Sequence, residues 1–383
     1  MPKNWERSLQ RWVEARVIDG ATAERVRAFE IDRERRGGRR WPALLAWAFG
    51  GVLMCAGVLL FVAAHWDDMS PAGRFALVLL MVGVFHVAAA FLRQRADVLA
   101  QVLHGVGTVA LGAGIFLAGQ IFNLEEHWPG GFMLWAAGAW IAWYFLRDRI
   151  QAVLAAALTP VWLAGEWMVA IEHMRGGDNV VAEGACLLAI TYLAARLPDK
   201  DGPVRRDLAA IGGVVLIPLT FWVVFAREWH DSMAMSVPKG LLAAGWLIAY
   251  GAPLALAYLL RRRGFWPILI AALWVRLLGA VSSRLIYYHE PRLALHEIGM
   301  YALCGLGSAL LAWWGFVEGR RERVNLGVAG FGLTVIFFYF ASVMDKLGRS
   351  LSLISLGVLL LVGGYALERA RRRLLEKMSV AAP

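Results

Sequence analysis

The sequence predicts an all-α integral membrane protein with about twelve transmembrane helices, preceded by a short cytoplasmic helical hairpin. Of its 383 residues, 59% are hydrophobic and 18% are charged, whereas soluble domains carry about 25% charged residues. The mean hydropathy is +0.56. The apolar residues also come in blocks of about 20, the length of helix that crosses a hydrocarbon core of ~30 Å. We therefore expect a hairpin at 1–40, a membrane bundle at 41–368 and a basic cytoplasmic tail at 369–383.

The segment before the first apolar block has the pattern of two short helices. Apolar residues recur at helical spacing in its first part, at Trp5, Leu9, Trp12, Val13 and Val17. Asp19 and Gly20 then interrupt the chain, and residues 21 to about 36 predict a second, highly charged helix. The apolar stripe suits either docking of a protein partner or a second copy, or packing on the bundle and the membrane interface.

The apolar blocks predict the positions of the spans. They lie at roughly 41–64, 75–92, 98–122, 130–146, 150–171, 179–197, 207–226, 240–260, 265–288, 297–318, 324–343 and 350–368. The fourth and sixth blocks are short. Most Trp and Tyr residues lie near block ends, where their amphipathic rings suit the headgroup region.

The distribution of basic residues predicts the orientation. Thirty of the 39 Lys and Arg residues fall on one side of this topology and seven on the other. The remaining two, Arg276 and Arg284, lie inside the ninth span. Because the basic side of a membrane protein is cytoplasmic, both termini are predicted to be cytoplasmic, in a bacterial inner membrane.

Composition also excludes several kinds of partner. The net charge of +10 does not indicate nucleic-acid binding, because the basic residues follow the topology instead of forming one patch. Cys55, Cys186 and Cys304 lie in apolar blocks without CxxC spacing, which disfavours a disulfide framework or a zinc site. The first 40 residues are charged, so we expect no cleavable signal peptide. No cofactor is predicted, and the expected partner is the lipid bilayer.

Two stretches resemble a known family. The run from Leu9 to Gly20, LQRWVEARVIDG, and the run from Gly112 to Leu124, GAGIFLAGQIFNL, are similar to parts of a family of bacterial membrane proteins catalogued as a domain of unknown function, number twenty-one fifty-seven. The resemblance covers about residues 5–150. It implies a bacterial inner-membrane location and says nothing about chemistry.

The third span carries small residues instead of a nucleotide site. Its GVGTVA sequence from Gly105 resembles a dinucleotide fingerprint, but that motif works only between a strand and a helix. Small residues recur every fourth position at Ala110, Gly114 and Ala118, which allows close helix packing and predicts a central position. At the end of the span, Gln120 and Asn123 suit hydrogen bonds between helices or a polar vestibule.

Arg276 is the sharpest candidate for a functional residue. It lies near the middle of the ninth span, where an arginine costs about 2.5–3.5 kcal/mol on insertion scales. Such a charge needs a carboxylate, carbonyl groups or water, and Glu166 in the fifth span is the acid we name first. Arg276, Arg284 and Glu166 therefore suit either an anion or ion pathway or a structural ion pair. His86 and His104 suit hydrogen-bonded packing or a proton relay.

Histidines and carboxylates are enriched on the predicted outer side. A metal site would draw on His65, His127, His289 and His296, since imidazole and carboxylate groups bind Zn²⁺ and similar ions. No pair has the spacing that places two imidazoles on one helix face. Exclusion of Lys and Arg from outer loops also enriches acids there. We expect a solvated polar rim instead of a metal centre.

Three classes of function remain open on the sequence. A transporter of a small solute or ion is favoured, because Pro160 and Pro218 interrupt spans and Arg276 suits a midplane site. A non-catalytic scaffold or sensor is supported by the N-terminal hairpin. A membrane enzyme acting on lipid-linked substrates would use the outer histidines and acids, but no recognisable catalytic motif supports enzymatic activity.

Overall fold

The protein is a bundle of helices with almost no other regular structure. The computed structural model describes residues 9–38 except 11, some positions between 46 and 60, and 70–380 except 122–126, 198–200, 226–234, 263, 288–292 and 345–348. The helices are α1 (Gly20–Gly38), α2 (Pro71–Leu92), α3 (Asp97–Ile121), α4 (Trp128–Leu146), α5 (Arg149–Ala170), α6 (Asp178–Leu193), α7 (Pro203–Phe225), α8 (Lys239–Arg261), α9 (Trp266–Tyr287), α10 (Leu293–Val317), α11 (Arg321–Phe338), α12 (Arg349–Val358) and α13 (Gly364–Val380).

The remaining elements are short. A π-helical turn at Tyr339–Val343 continues α11, and another at Leu359–Gly363 joins α12 to α13. The last predicted span and the first part of the basic tail therefore form one continuous helix, which runs past residue 368 to Val380. Two strands of two residues each, β1 (Met174–Arg175) and β2 (Met235–Ser236), pair in parallel.

Among the described residues, eight helices are long and apolar enough to cross a membrane. They are α2, α3, α5, α7, α8, α10, α11 with its π-helical turn, and the helix that continues into α13. This confirms an all-α, multi-pass membrane protein. Helices α4, α6 and α9 occupy the fourth, sixth and ninth predicted spans, and the first span, 41–64, lies largely outside the described residues. The number twelve therefore stays a prediction.

At the predicted interruption of the chain, Asp19 is followed by the start of α1 at Gly20. The Asp19 carboxylate accepts a hydrogen bond from the backbone amide of Thr22 at 2.9 Å, which caps α1. Hydrogen bonds from Thr22 lower the pKa of Asp19 below its usual value. In the preceding segment Leu9 is buried, whereas Trp12 and Val17 are 49% and 69% exposed. What the apolar stripe contacts stays a prediction.

Helix α3 lies at the centre of the first of two compact units, which comprises residues 1–127 and 134–154. A Cβ atom on Gly114 would lie 2.3 Å from Val78 of α2, so this glycine lets the two helices approach closely. Another on Gly112 would lie 2.2 Å from the indole of Trp135, which donates to the carbonyl of Thr108 at 2.8 Å. These contacts show that α3 packs closely against α2 and α4, and its central position in the whole bundle stays a prediction.

Helix α6 is the buried centre of the second unit, which comprises residues 128–133 and 155–383. It has only 16 residues, and most of them from Val180 onward are buried against α7, α8 and α9. A Cβ on Gly184 would lie 2.8 Å from Ala249 of α8, and one on Gly212 of α7 would lie 2.3 Å from the carbonyl oxygen of Ala189. Glycines on these helices thus allow the close packing that buries α6.

Candidate functional site

A salt bridge inside the second unit is the strongest candidate site. Arg276 of α9 donates from Nη1 to Oε1 of Glu183 in α6 at 2.8 Å. Arg276 is the eleventh residue of a helix of 22 residues, so at a rise of 1.5 Å per residue it lies about 15 Å from the end that begins at Trp266. The charge therefore lies near the middle of α9, the helix that occupies the ninth predicted span.

Two residues of α8 complete the site. Tyr250 donates its hydroxyl to Oε2 of Glu183 at 2.6 Å, so each carboxylate oxygen has a partner. The guanidinium carbon of Arg276 lies 4.6 Å from the ring centroid of Trp246, within the range of a cation–π contact. Trp246 and Tyr250 are four residues apart and lie on one face of α8.

The two charged side chains differ in exposure. The Glu183 side chain is 0% exposed and that of Arg276 is 50% exposed. Gly279, one turn beyond Arg276, leaves room for the carboxylate. A Cβ atom there would lie only 2.0 Å from Oε1 of Glu183. The acid is thus fixed by packing, whereas the guanidinium has an open side.

This arrangement allows one simple chemical change. Arginine keeps its proton at any physiological pH, whereas a carboxylate can take one up. A proton on Glu183 would remove the negative partner and leave the charge of Arg276 uncompensated. An anion on the open side of the guanidinium would then restore neutrality.

The partner of Arg276 is Glu183, and the prediction that named Glu166 was wrong. Glu166 instead accepts a hydrogen bond from Trp162 on its own helix at 2.8 Å. Arg284 is in α9, but its side chain lies outside what the structure describes. Glu183 interrupts the apolar sequence VVAEGACLLAIT of the sixth block, and that lone acid was the signal available from sequence. Tyr250 and Trp246 carry no such signal, because aromatic residues are common in spans.

The other predicted site residues are not brought together in the described part of the chain. Gln120 belongs to α3 without a described side chain, and Asn123 lies outside the described residues, as do His65 and His289. His296 is in α10, again without a described side chain, and His127 is exposed just before α4. Within the described residues no group of three or more His, Cys, Asp or Glu could hold a metal ion. The predicted metal site therefore stays untested.

In the first unit, His86 and His104 do meet. Their Nδ1 atoms are 2.8 Å apart, so one nitrogen carries a proton and the other accepts it. Gln151 donates to the carbonyl of His104 at 2.9 Å and accepts from Thr108 at 2.9 Å. The pair is part of a buried hydrogen-bonded contact between α2, α3 and α5.

A group of arginines closes the carboxyl end of α6. Arg205, Arg261 and Arg323 donate to the otherwise unpaired backbone carbonyls there, namely those of Ala195 at 2.7 Å, Ala194 at 2.9 Å and Leu193 at 3.3 Å. Positive charge at this end also complements the helix dipole. Arg323 is 1% exposed and Arg261 is 6% exposed, so the cap is part of the protein interior.

Three carboxylates neutralise part of this charge. Glu318 contacts Arg261 and, at 2.6 Å, Arg323. Burial disfavours the Glu318 anion, but the two arginine charges outweigh this and lower its pKa. The other two carboxylates, Asp201 and Glu322, pair with Arg196. Its hydrogen bond lowers the pKa of Asp201 to about 2. We call Arg196, Arg205, Arg206, Arg261, Arg320 and Arg323 the arginine cluster.

Eight long apolar helices among the described residues define a polytopic α-helical membrane protein. Within that class, residues 10–152 match a family described as "Predicted membrane protein (DUF2157)". This match confirms the resemblance noted in the sequence. No curated protein and no solved structure matches the chain significantly. Glu183, Tyr250 and Arg276 all lie beyond the matched residues.

Proposed function

We propose that this protein transports a small anion together with a proton, and that Glu183 and Arg276 form the coupled binding site. The salt bridge between a fully buried acid and a half-exposed arginine, near the middle of α9, is the observation that carries the proposal. The proposal includes the predicted setting, a bacterial inner membrane crossed about twelve times with both termini in the cytoplasm.

Charge balance supports coupling between the two ions. With Glu183 ionised, the pair is neutral and Arg276 has little need for a second anion. With Glu183 protonated, the guanidinium charge in a low-dielectric setting costs several kcal/mol unless an anion pairs with it. Proton and anion would therefore bind together and leave together, so the site stays neutral in both states.

Purified protein in liposomes tests the proposal. The lumen would hold a pH-sensitive dye, and succinate or phosphate, whose charged forms cross bare lipid slowly, would be added outside under an imposed pH gradient. We expect at least one of these anions to drive proton movement into the lumen. Glu183→Gln should abolish the proton signal while anion exchange, followed with radiolabelled anion, persists.

Two further variants separate the site from the fold. Arg276→Lys should retain part of the transport and Arg276→Leu none, with both proteins still inserted in the membrane. Glu172, an exposed acid two residues beyond the end of α5, supplies the matched control, and Glu172→Gln should behave as wild type. If Glu183→Gln leaves proton coupling intact, the proposed role of the pair is wrong.

The competing function is a membrane scaffold whose N-terminal segment binds a protein partner. The exposed side chains of Trp12 and Phe29, 49% and 65% exposed, support it. No proton movement with any anion of the panel, together with association that depends on residues 1–38, would favour the scaffold over the transporter.

A further inference from the structure

A narrow apolar cavity lies between the helices of the second unit, separate from the Glu183–Arg276 pair. Its volume is about 200 Å³, larger than a cavity of about 150 Å³ that accepts benzene. Its walls come from α7, α9, α10 and α11, with one residue of α6. Apolar side chains dominate, among them Leu216, Ile270, Leu311, Leu333 and Phe337.

The cavity is long in the direction of the helices. Along α10 its lining runs from Tyr301 to Trp314, a rise of about 20 Å at 1.5 Å per residue. That is more than half of a hydrocarbon core of ~30 Å. A small volume spread over this length makes a groove that suits a single extended chain better than a compact solute.

Two of the hydroxyl groups that line the groove already have hydrogen-bond partners. Thr220 donates its hydroxyl to the carbonyl of Leu216, and Thr334 donates to that of Gly330, both at 2.8 Å within their own helices. The hydroxyl protons of both threonines are therefore already hydrogen-bonded within their own helices, so each side chain can offer its methyl group to a molecule in the groove. An apolar chain loses no hydrogen bonds when it enters such a site.

One end of the groove meets the arginine cluster at Trp314. The guanidinium carbons of Arg323 and Arg261 lie 4.2 Å and 5.3 Å from the ring centroid of Trp314. Five of the six arginines of the cluster pair with the three carboxylates Asp201, Glu318 and Glu322, and the sixth, Arg205, donates to backbone carbonyls. Positive charge is thus in excess, and Nε of Arg320 is buried without a partner among the described residues.

We propose that the groove binds one acyl chain of an anionic phospholipid, with the head group at the exposed side of the arginine cluster, where the side chains of Arg206 and Arg196 are 60% and 24% exposed. Basic pockets between transmembrane helices commonly bind anionic head groups in this way. The groove has the length to hold the acyl chain and the cluster has the positive charge to attract the anionic head group, so both parts of the lipid are recognised. The bound lipid would fill the space between α7, α9, α10 and α11 and hold them together.

Native mass spectrometry of the delipidated full-length protein tests this. Phosphatidylglycerol and phosphatidylcholine with identical chains would be added in turn. We expect one tightly retained phosphatidylglycerol, bound at least tenfold more tightly than phosphatidylcholine. Equal retention of the two lipids would overturn the charge recognition, and no retained lipid would overturn the site.

Two matched variants on α9 test whether the acyl chain binds in the groove. Ala271→Phe places a ring in the groove, whereas Leu273 is 60% exposed and lies outside it. We expect Ala271→Phe to lower phosphatidylglycerol affinity at least tenfold and Leu273→Phe to leave it within twofold. Unchanged binding by Ala271→Phe would refute the groove as the site.

A photocrosslinking experiment on the wild-type protein does not depend on the folding of any variant. Phosphatidylglycerol with a diazirine on one acyl chain should label Leu311 and Thr334, which line the groove, more than Leu306 and Leu273, which are exposed outside it. Equal labelling of the two pairs would show that the chain lies only in the surrounding bilayer, and would overturn the proposal.

Discussion

At the scale of single residues, the Glu183–Arg276 pair is asymmetric. The acid is fully buried and the arginine is half exposed. The buried carboxylate therefore needs its partner more than the guanidinium does. Removing one partner of a buried pair costs about 3–5 kcal/mol, because the other charge is left without compensation. The cost should be greater when the exposed arginine is removed, since Glu183 cannot move into water.

We therefore expect Arg276→Leu to lower the melting temperature of the purified protein more than Glu183→Gln does. Adding Glu183→Gln to Arg276→Leu should restore part of the loss, because a neutral amide tolerates burial better than an unpaired carboxylate. Thermal melting in detergent, followed by size-exclusion chromatography, measures this.

Glu166→Gln is the control for that rescue. Glu166 is the acid that the sequence suggested, but the carboxylate that pairs with Arg276 is that of Glu183, so Glu166→Gln should not rescue Arg276→Leu. Simple addition of the Arg276→Leu and Glu183→Gln effects would contradict the pairing, since coupled sites give non-additive changes.

At the scale of one element, the short helix α6 depends on its carboxyl-end cap. Because α6 has only 16 residues, its last carbonyls end inside the protein, where each unpaired group would cost about 1–3 kcal/mol. Arg323 donates to the carbonyl of Leu193, the last residue of α6, at 3.3 Å and to that of Arg196 beyond the helix at 3.2 Å, and it also pairs with Glu318.

Arg323→Met should therefore destabilise the protein by about 3–5 kcal/mol, because it leaves buried carbonyls and the Glu318 carboxylate without this donor. Arg321→Gln, at an exposed position two residues away, should change stability by less than about 0.5 kcal/mol. Unfolding in a denaturing detergent measures both. Equal effects would show that the cap is not needed.

The same cap sets a pH dependence. The pKa of Glu318 is lowered and that of Asp201 is lowered to about 2, so each anion stabilises the folded state above its unfolded pKa of about 4. That stabilisation is lost as the pH falls through the folded values. We expect melting temperatures to vary little from pH 6 to 8 on account of this cap, and to fall below about pH 4. Arg323→Met should remove part of the Glu318 contribution to this fall and leave the Asp201 contribution, because Asp201 pairs with Arg196.

At the scale of the whole molecule, the chain contains two compact units with different relations to known proteins. The match to the family covers residues 10–152, and the first unit ends at Leu154. The salt bridge, the arginine cluster and the groove all belong to the second unit. The family description therefore bears on membrane location and not on the proposed chemistry.

The side of the membrane on which each loop and terminus lies can be tested for the whole chain. A reporter fused after Arg373 should be active in the cytoplasm, and one inserted at His127, just before α4, should be active outside. The 30-to-seven division of basic residues motivates this expectation. Enzyme reporters that work on only one side of the membrane measure it. A cytoplasmic signal from the insertion at His127 would overturn the assignment of the spans.

Sequence alone determined the class of protein and the position of most helices, and it singled out Arg276 as a candidate. These properties depend on hydropathy along the chain: an apolar block of sufficient length must be helical in a bilayer, and a charge within it stands out. The tertiary structure decided the partner. Glu183 is 93 residues away from Arg276 in the chain, and it became the partner because Gly184 and Gly279 let α6, α8 and α9 approach closely. Glu166 also lies in an apolar block, but a one-dimensional pattern does not record which helices are neighbours or which faces they turn to each other.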